Sequence, residues 1–285
     1  MESNLADDFH FRFGGIARLY GRNALERLRA SHVMVVGIGG VGSWAAEALA
    51  RSAFGRITLI DLDDVCVSNS NRQLPALQST LGQPKAAVMA ARIREIHPGI
   101  RVEARLEFVT ESSVARLLGL EPGHAGDRPD VVLDAIDSVP NKARLVAACK
   151  NAGIPLVVCG GAGGRRDPTA IRILDLASVT HDRLLASVRG RLRRDHAFPR
   201  EASSFGVPCV CSAELPVFPD AHGEPCRARI KAMAGDSLRL NCDSGFGSAT
   251  FVTGTFGFAA AAHAIELILQ RPPNHAKPSV VQGNR

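Results

Sequence analysis

The chain has little aromatic character. One of its 285 residues is Trp, one is Tyr, and aromatic residues make up 5% in all. No aromatic-rich motif for stacking nucleic-acid bases is visible. The paired C-x-x-C hairpins that structural zinc uses are also missing. The seven cysteines stand at 66, 149, 159, 209, 211, 226 and 242, and the tightest pair, Cys209-Val210-Cys211, is one residue too close. No zinc site is expected, and the scatter reads as a reducing cytoplasm with mostly buried thiols. The opening Met1-Glu2-Ser3-Asn4-Leu5-Ala6-Asp7-Asp8 is acidic and polar, unlike a secretory signal. No internal repeat and no clean linker interrupts the chain. Its one long apolar run, 249–269, contains Gly254, Gly257, His263 and Glu266; a helix buried in the protein is expected there, not a membrane span.

What is present is a globular composition, 46% hydrophobic and 22% charged, with ample length for a core. A net charge of +6 mildly favours a polyanionic partner and says nothing of chemistry. The chain turns on the stretch from His32 to Gly42. A short β-branched run leads into Gly37-Ile38-Gly39-Gly40-Val41-Gly42, then strong helix formers, then Ile57-Thr58-Leu59-Ile60-Asp61. This predicts strand, tight turn, helix, strand. Gly37, Gly39 and Gly42 have G-x-G-x-x-G spacing, and Asp61 lies 19 residues beyond Gly42. Glycines let the backbone approach a phosphate at a helix N-terminus, and the acid holds ribose hydroxyls. The plainer alternative is a glycine turn between packed elements.

Further strands are expected at 100–106, 131–137 and 155–159, with helices at 84–96 and 140–152. Apolar strands without alternation, separated by helices, predict an α/β fold, Rossmann-like, with a mostly parallel sheet covered by helices on both faces. Beyond Gly160 an antiparallel C-terminal extension is expected. It has a flexible basic loop (160–166), a strand (171–176), a basic helix (181–196) and the apolar helix. The organisation predicted is a single domain over 1–285. Its nucleotide-binding core covers about 30–160, the extension about 161–271, and a frayed tail 272–285.

Arg72 and Lys85 are candidate phosphate ligands, one a fork and the other a point charge; the alternative is a pair of solvated surface cations. Asp137, after a buried strand, reads as a magnesium ligand, as the N-cap of the helix near Pro140, or as both. Asn69 and Asn71 suit ribose or phosphate, or an ordinary turn. Cys242 is the best-placed reactive thiol, against the plainer reading of a packed cysteine. The arginines of 183–194 and Arg165-Arg166 suit an RNA backbone or a solvated face.

Five blocks together are far more specific than the glycines: Gly37–Gly42, Asp61-Leu62-Asp63, Asn69-Ser70-Asn71-Arg72-Gln73, Gly82-Gln83-Pro84-Lys85 and Asp134-Ala135-Ile136-Asp137. Residues 33–160 thereby resemble the ubiquitin-activating-enzyme-like superfamily, the adenylating proteins of ThiF and MoeB type. Arg12–Gly21, Asp134–Val139, Gly160–Gly164 and Asp243–Gly247 resemble its tRNA threonylcarbamoyladenosine dehydratase branch, whose members close that side chain, next to the anticodon, into a ring. The resemblance implies ATP and Mg2+ as cofactors. Gly37, Gly39, Gly40, Gly42, Asp61, Asn69, Asn71 and Ser138 would line the nucleotide; Arg72 and Lys85 would hold its phosphates; Asp137 would carry the metal. Arg72, Lys85 and Asp137 would be catalytic. It leaves open a monovalent cation among the C-terminal loops. The partners it implies are tRNA, a second copy of the chain and, as a further option, proteins of the cysteine desulfurase sulfur-transfer system; the setting is cytoplasmic, with no membrane. Where the superfamily carries an arginine that crosses to the neighbour's ATP, this chain has Gly15 and Ile16, leaving Arg12 and Arg18 for that contact.

Adenylating the C-terminal glycine of a ubiquitin-like sulfur carrier is the runner-up activity, and the missing zinc cysteines argue against it. A nicotinamide oxidoreductase would leave Arg72, Lys85 and Asp137 without a shared purpose. A non-catalytic nucleotide-binding scaffold is the last alternative.

Overall fold

The computed structural model describes residues 5–200, 203–220, 222–226 and 246–271. Cys242, the Asp243–Gly245 block, the place left for a monovalent cation and the tail from 272 lie outside them. Three short helices, α1 (Leu5–Arg12), α2 (Gly14–Tyr20) and α3 (Arg22–Ala30), lead into β1 (His32–Val36), α4 (Gly42–Arg51) and β2 (Arg56–Ile60). Then come α5 (Lys85–Ile96), β3 (Arg101–Arg105), α6 (Val114–Leu117), β4 (Val131–Asp134), α7 (Val139–Asn151) and β5 (Leu156–Cys159). The last third adds β6 (Ile171–Asp175), α8 (Arg183–Asp195), β7 (Pro208–Ser212), a small β8–β9 hairpin (Phe218–Pro219 and Pro225–Cys226) and α9 (Thr250–Gln270).

The main sheet has seven strands in the order β3-β2-β1-β4-β5-β7-β6. Every neighbouring pair is parallel except β6 with β7. Alternate residues of β1 face opposite cores. Val33 and Val35 pack with α4, α5 and α9, while Met34 and Val36 pack with α7 and α8. Burial on both faces explains why the strands read as unbroken apolar runs. The expected extension is sharpened here: β6 is antiparallel, but β7 slots between it and β5, parallel to β5.

By length and composition α9 could cross a membrane, with a mean hydropathy of 1.5. It is instead packed against α4 and the sheet, with Val252, Phe256, Ala260, Ala264 and Ile268 buried. Gly257 permits the approach: a Cβ there would lie 2.6 Å from the Val41 carbonyl and 2.8 Å from the Ala45 nitrogen. The N-terminal helices pack on their own chain. Phe9, Phe13, Leu25 and Ala53 form a small separate cluster, and Arg12 Nη1 donates to the Ile96 carbonyl at 3.2 Å.

His32 opens β1 fully enclosed, its Nε2 2.9 Å from Thr58 Oγ1. Burial, aided by the nearby Arg56 charge, pushes its pKa from 6.5 down to about 3. The folded protein therefore holds His32 neutral where the unfolded chain takes up a proton. Its contribution to stability is complete above about pH 6.5 and is lost as pH falls toward 3, at up to about 1.4 kcal/mol per pH unit. Urea unfolding across this range should show that slope, and His32→Asn should flatten it. In the same assay Gly257→Ala should destabilise by about 1–3 kcal/mol. Gly190→Ala, whose Cβ meets nothing within 4 Å, should be neutral or stabilising by up to about 1 kcal/mol.

Candidate functional site

The carboxyl edge of the sheet carries the site. Gly37, just past β1, has φ 85°, a conformation that favours glycine. A Cβ there would also stand 2.8 Å from the Ala135 carbonyl oxygen. At Gly42 a Cβ would fall 1.8 Å from the Gly37 carbonyl oxygen, so no other residue fits without moving the backbone. Gly40 touches two neighbours instead, with Arg72 Cγ and Thr253 Cγ2 each 3.3 Å from the place of a Cβ. The glycine turn is thus wedged between the tail of β4 and the Arg72 loop. It feeds α4, whose N-cap, Val41, makes no side-chain cap bond. Free N–H groups and the positive dipole end make such a terminus a place for an anion.

A chain of bonds leads from the turn to Lys85. Ile38 N donates to Asp61 Oδ2 at 2.6 Å, Asp63 N donates to Asp61 Oδ1 at 2.8 Å, and Lys85 Nζ donates to Asp63 Oδ2 at 3.0 Å. Burial raises the Asp61 pKa, opposed by these two amide donors and by Lys85. Each Asp61 oxygen keeps lone-pair capacity for a hydroxyl. Lys85 is not a solvated surface cation: it is buried at the start of α5 and held by the acid of the Asp61-Leu62-Asp63 block. Arg72 is half-buried and donates through Nη1 to the Ser68 carbonyl at 2.7 Å and to Asn71 Oδ1 at 2.9 Å. Asn71 in turn donates to the Ser248 carbonyl, and Trp44 Nε1 donates to the carbonyl of Arg72. Asn69 is buried, and its Oδ1 accepts from Cys66 N, so that oxygen serves its own turn.

Asp137 is exposed, and its side chain has no partner among the described residues. It is not the N-cap of α7; that position is Ser138, which makes no side-chain cap bond, and α7 starts at Val139. The register nonetheless places Asp137 close to the glycine turn. Val36 pairs with Asp134, and Ala135 N donates to the Val36 carbonyl at 2.8 Å, so the residues after β4 rise beside Gly37. A free carboxylate at that place is a hard oxygen donor of the kind magnesium takes. No three potential protein ligands cluster among the described residues. A divalent ion there would fill its shell from nucleotide phosphates and water, which is how magnesium is usually held.

The sequence reading missed Lys142. Its Nζ is fully buried and donates to Asp134 Oδ1 at 2.9 Å, to the Asp134 carbonyl at 3.3 Å and to the Ile136 carbonyl at 2.8 Å. Asp134 Oδ1 also accepts from Ile136 N, so one ion pair fastens the turn that carries Asp137 to α7. An acid ending a buried strand, with a lysine eight residues on in the next helix, was the available signal.

Two basic features differ from expectation. The 160–166 loop is not loose: Asp182 is buried beneath it and accepts from Gly161 N and Leu185 N, and a Cβ at Gly160 would lie 2.2 Å from Asp182 Oδ2. On α8, Arg189 bonds the carbonyls of Leu176 and Val179, Arg191 and Arg194 pair with Asp195, and Arg193 bonds the Pro199 carbonyl. Much of that helix's charge is therefore spent within its own fold.

Comparison with known proteins adds three findings. The ThiF family model matches residues 15–284. The tRNA threonylcarbamoyladenosine dehydratase of Escherichia coli K12 is 48% identical over 268 residues, spanning 94% of this chain and 97% of the relative. Crystal structures of the E. coli dehydratase in complex with ATP and with AMP both superpose at TM-score 0.80. The ATP complex is 46% identical over 94% of this chain and 97% of that one; the AMP complex is 45% identical over 94% and 98%.

Lys142→Met would leave the Asp134 carboxylate buried without its counter-charge. Urea unfolding should show a loss of about 3–5 kcal/mol.

Proposed function

The chain belongs to the ThiF family, and on that premise we propose that it is an ATP-dependent tRNA-modifying enzyme that dehydrates threonylcarbamoyladenosine, next to the anticodon, to its cyclic form. The observation that carries this reading is the reach of the likeness to the E. coli dehydratase. It covers 94% of the chain, and so runs past the nucleotide core into the extension.

In this reading the threonyl carboxylate of the substrate attacks the α-phosphorus of ATP. An O–P bond forms, the bridging P–O bond breaks, and pyrophosphate leaves. A nucleophile within the modified nucleoside then attacks the acyl carbon and expels AMP, which carries away the former carboxylate oxygen. No protein nucleophile is needed. Gly37, Gly39, Gly40 and Gly42 give the phosphates close access to backbone, Asp61 takes the ribose, and Asn69, Asn71 and Ser138 line the nucleotide. Lys85 and Arg72 balance the charge that develops on the phosphates, an effect that operates best from fixed, partly buried positions. Lys85 is supported in that role by its burial and by the bond to Asp63 that aims it. Asp137 would hold magnesium, which when bound shields the phosphate charge.

The same proposal treats the protein as one domain and as a cytoplasmic homodimer. The first is supported by β7, which ties the extension into the main sheet. The second draws on Phe11 and Leu19, 92% and 71% exposed on the N-terminal helices.

The test is mass spectrometry of tRNA after incubation with ATP and magnesium. The modified adenosine should lose one water, with one AMP and one pyrophosphate formed per ring. Unchanged tRNA, with pyrophosphate exchange driven instead by a sulfur-carrier protein, would overturn the assignment; ADP as product would overturn the adenylate. Asp137→Asn removes an exposed group without partners among the described residues, so stability should stay within about 0.5 kcal/mol. Turnover should fall by roughly a hundredfold or more.

A further inference from the structure

Arg165 is a buried cation that the site described above does not use. It is 4% exposed, and its Nε and Nη1 have no hydrogen-bond partner among the described residues. Its Nη2 donates to the His181 carbonyl at 2.5 Å. His181 itself has φ 60°, the left-handed region that side chains other than glycine seldom enter, and that bend sets the carbonyl against the guanidinium. The two acids nearest in charge are otherwise engaged. Asp182 accepts from the nitrogens of Gly161 and Leu185, and Glu214 from those of Arg166 and Asp167. A guanidinium kept out of water with open N–H groups is costly to hold. It is the arrangement of a group that waits for an anion.

Its place narrows the choice of anion. The loop from Gly160 to Asp167 leaves the carboxyl end of β5, the strand beside β4. Asp137 rises from the carboxyl end of β4, and neighbouring strands are about 4.8 Å apart. Ligands in such sheets lie across these ends. The loop that carries Arg165 therefore leaves the sheet one strand away from the turn that carries Asp137. The phosphates already have Arg72, Lys85 and the α4 terminus. The other anion of the reaction, the substrate carboxylate, has no cation assigned to it. It must nevertheless approach a phosphate of like charge and lie in line with it. A planar guanidinium both neutralises and orients a carboxylate.

We propose that Arg165 receives the threonyl carboxylate and aims it at the α-phosphorus. The proposal rests on the tRNA-modifying reading given above. It is tested with the full chain, ATP and modified tRNA. Arg165→Met should raise KM for modified tRNA by about tenfold or more. It should slow single-turnover cyclisation and leave ATP affinity within about twofold, with Arg165→Lys recovering part of the loss. Unmodified tRNA, which lacks the carboxylate, should bind wild type and Arg165→Met alike. Should both variants fail to fold, wild type alone decides: modified tRNA with its threonyl carboxylate methyl-esterified should bind about tenfold or more weaker than the free acid. Equal losses for unmodified tRNA or for ATP would assign Arg165 to a phosphate and overturn the proposal. So would an ester that binds as well as the acid, or an Arg165→Met enzyme with unchanged kinetics. A wild-type enzyme that forms no cyclic product would sink the functional reading itself.

Discussion

The site depends on one steric constraint, the absence of a side chain at Gly42. The Gly37 carbonyl oxygen occupies the space a Cβ would need, 1.8 Å from its ideal position. That closeness lets the chain leave β1, reverse and enter α4 within a few residues. It brings the helix terminus over the strand ends and puts Gly37 against Ala135. Once the turn is that tight, the residues after β4 have one course, alongside it. Asp137 is brought beside the glycine turn by packing, without a side-chain bond among the described residues.

Charge at this edge is organised so that Lys85 and Arg72 are each held in place by groups of the protein itself. Lys85 is fixed by Asp63, Arg72 by the Ser68 carbonyl of its own loop and by Asn71, and Asn71 by Ser248 at the approach to α9. Long side chains lose much rotamer freedom when they bind, and these have already lost it in the fold. Asp137 and Arg165 are the contrasts. Among the described residues one is an acid with no partner, the other a base with two unpartnered nitrogens, and they lie on turns from adjacent strands. Opposite charges left unsatisfied in this way are what the proposed reaction of a phosphate with a carboxylate would use.

Much of this was legible in the chain before the fold was known. Unbroken apolar strands gave away a sheet buried on both faces, and the ordered blocks from Gly37 to Asp137 marked the residues that meet at its carboxyl edge. What could not be read depends on long-range pairing. Nothing local in Pro208–Ser212 says that it lies parallel to β5 and antiparallel to β6. Lys142 looked like any helical lysine, because its burial comes from packing against the end of β4, where Asp134 and the Ile136 carbonyl accept from it. Arg165 sat in a run of glycines and basic residues that reads as loose loop. Only long-range bonds, from the buried Asp182, 21 residues beyond Gly161, and from Glu214, show the loop to be tied down.

The insertion of β7 between β5 and β6 also bears on how the chain is made. β6 pairs with β7 alone, and β7 is synthesised after it. While residues 176–207 are still emerging, β6 has nothing to bond to and the edge of β5 stays open. At translation speeds of about 5–20 residues per second this lasts on the order of seconds. Until β7 is made the edge of β5 has no partner, and open strand edges are the surfaces through which β proteins aggregate. A ribosome that stalls in this interval leaves a chain whose nucleotide core is complete in sequence and whose sheet cannot be closed.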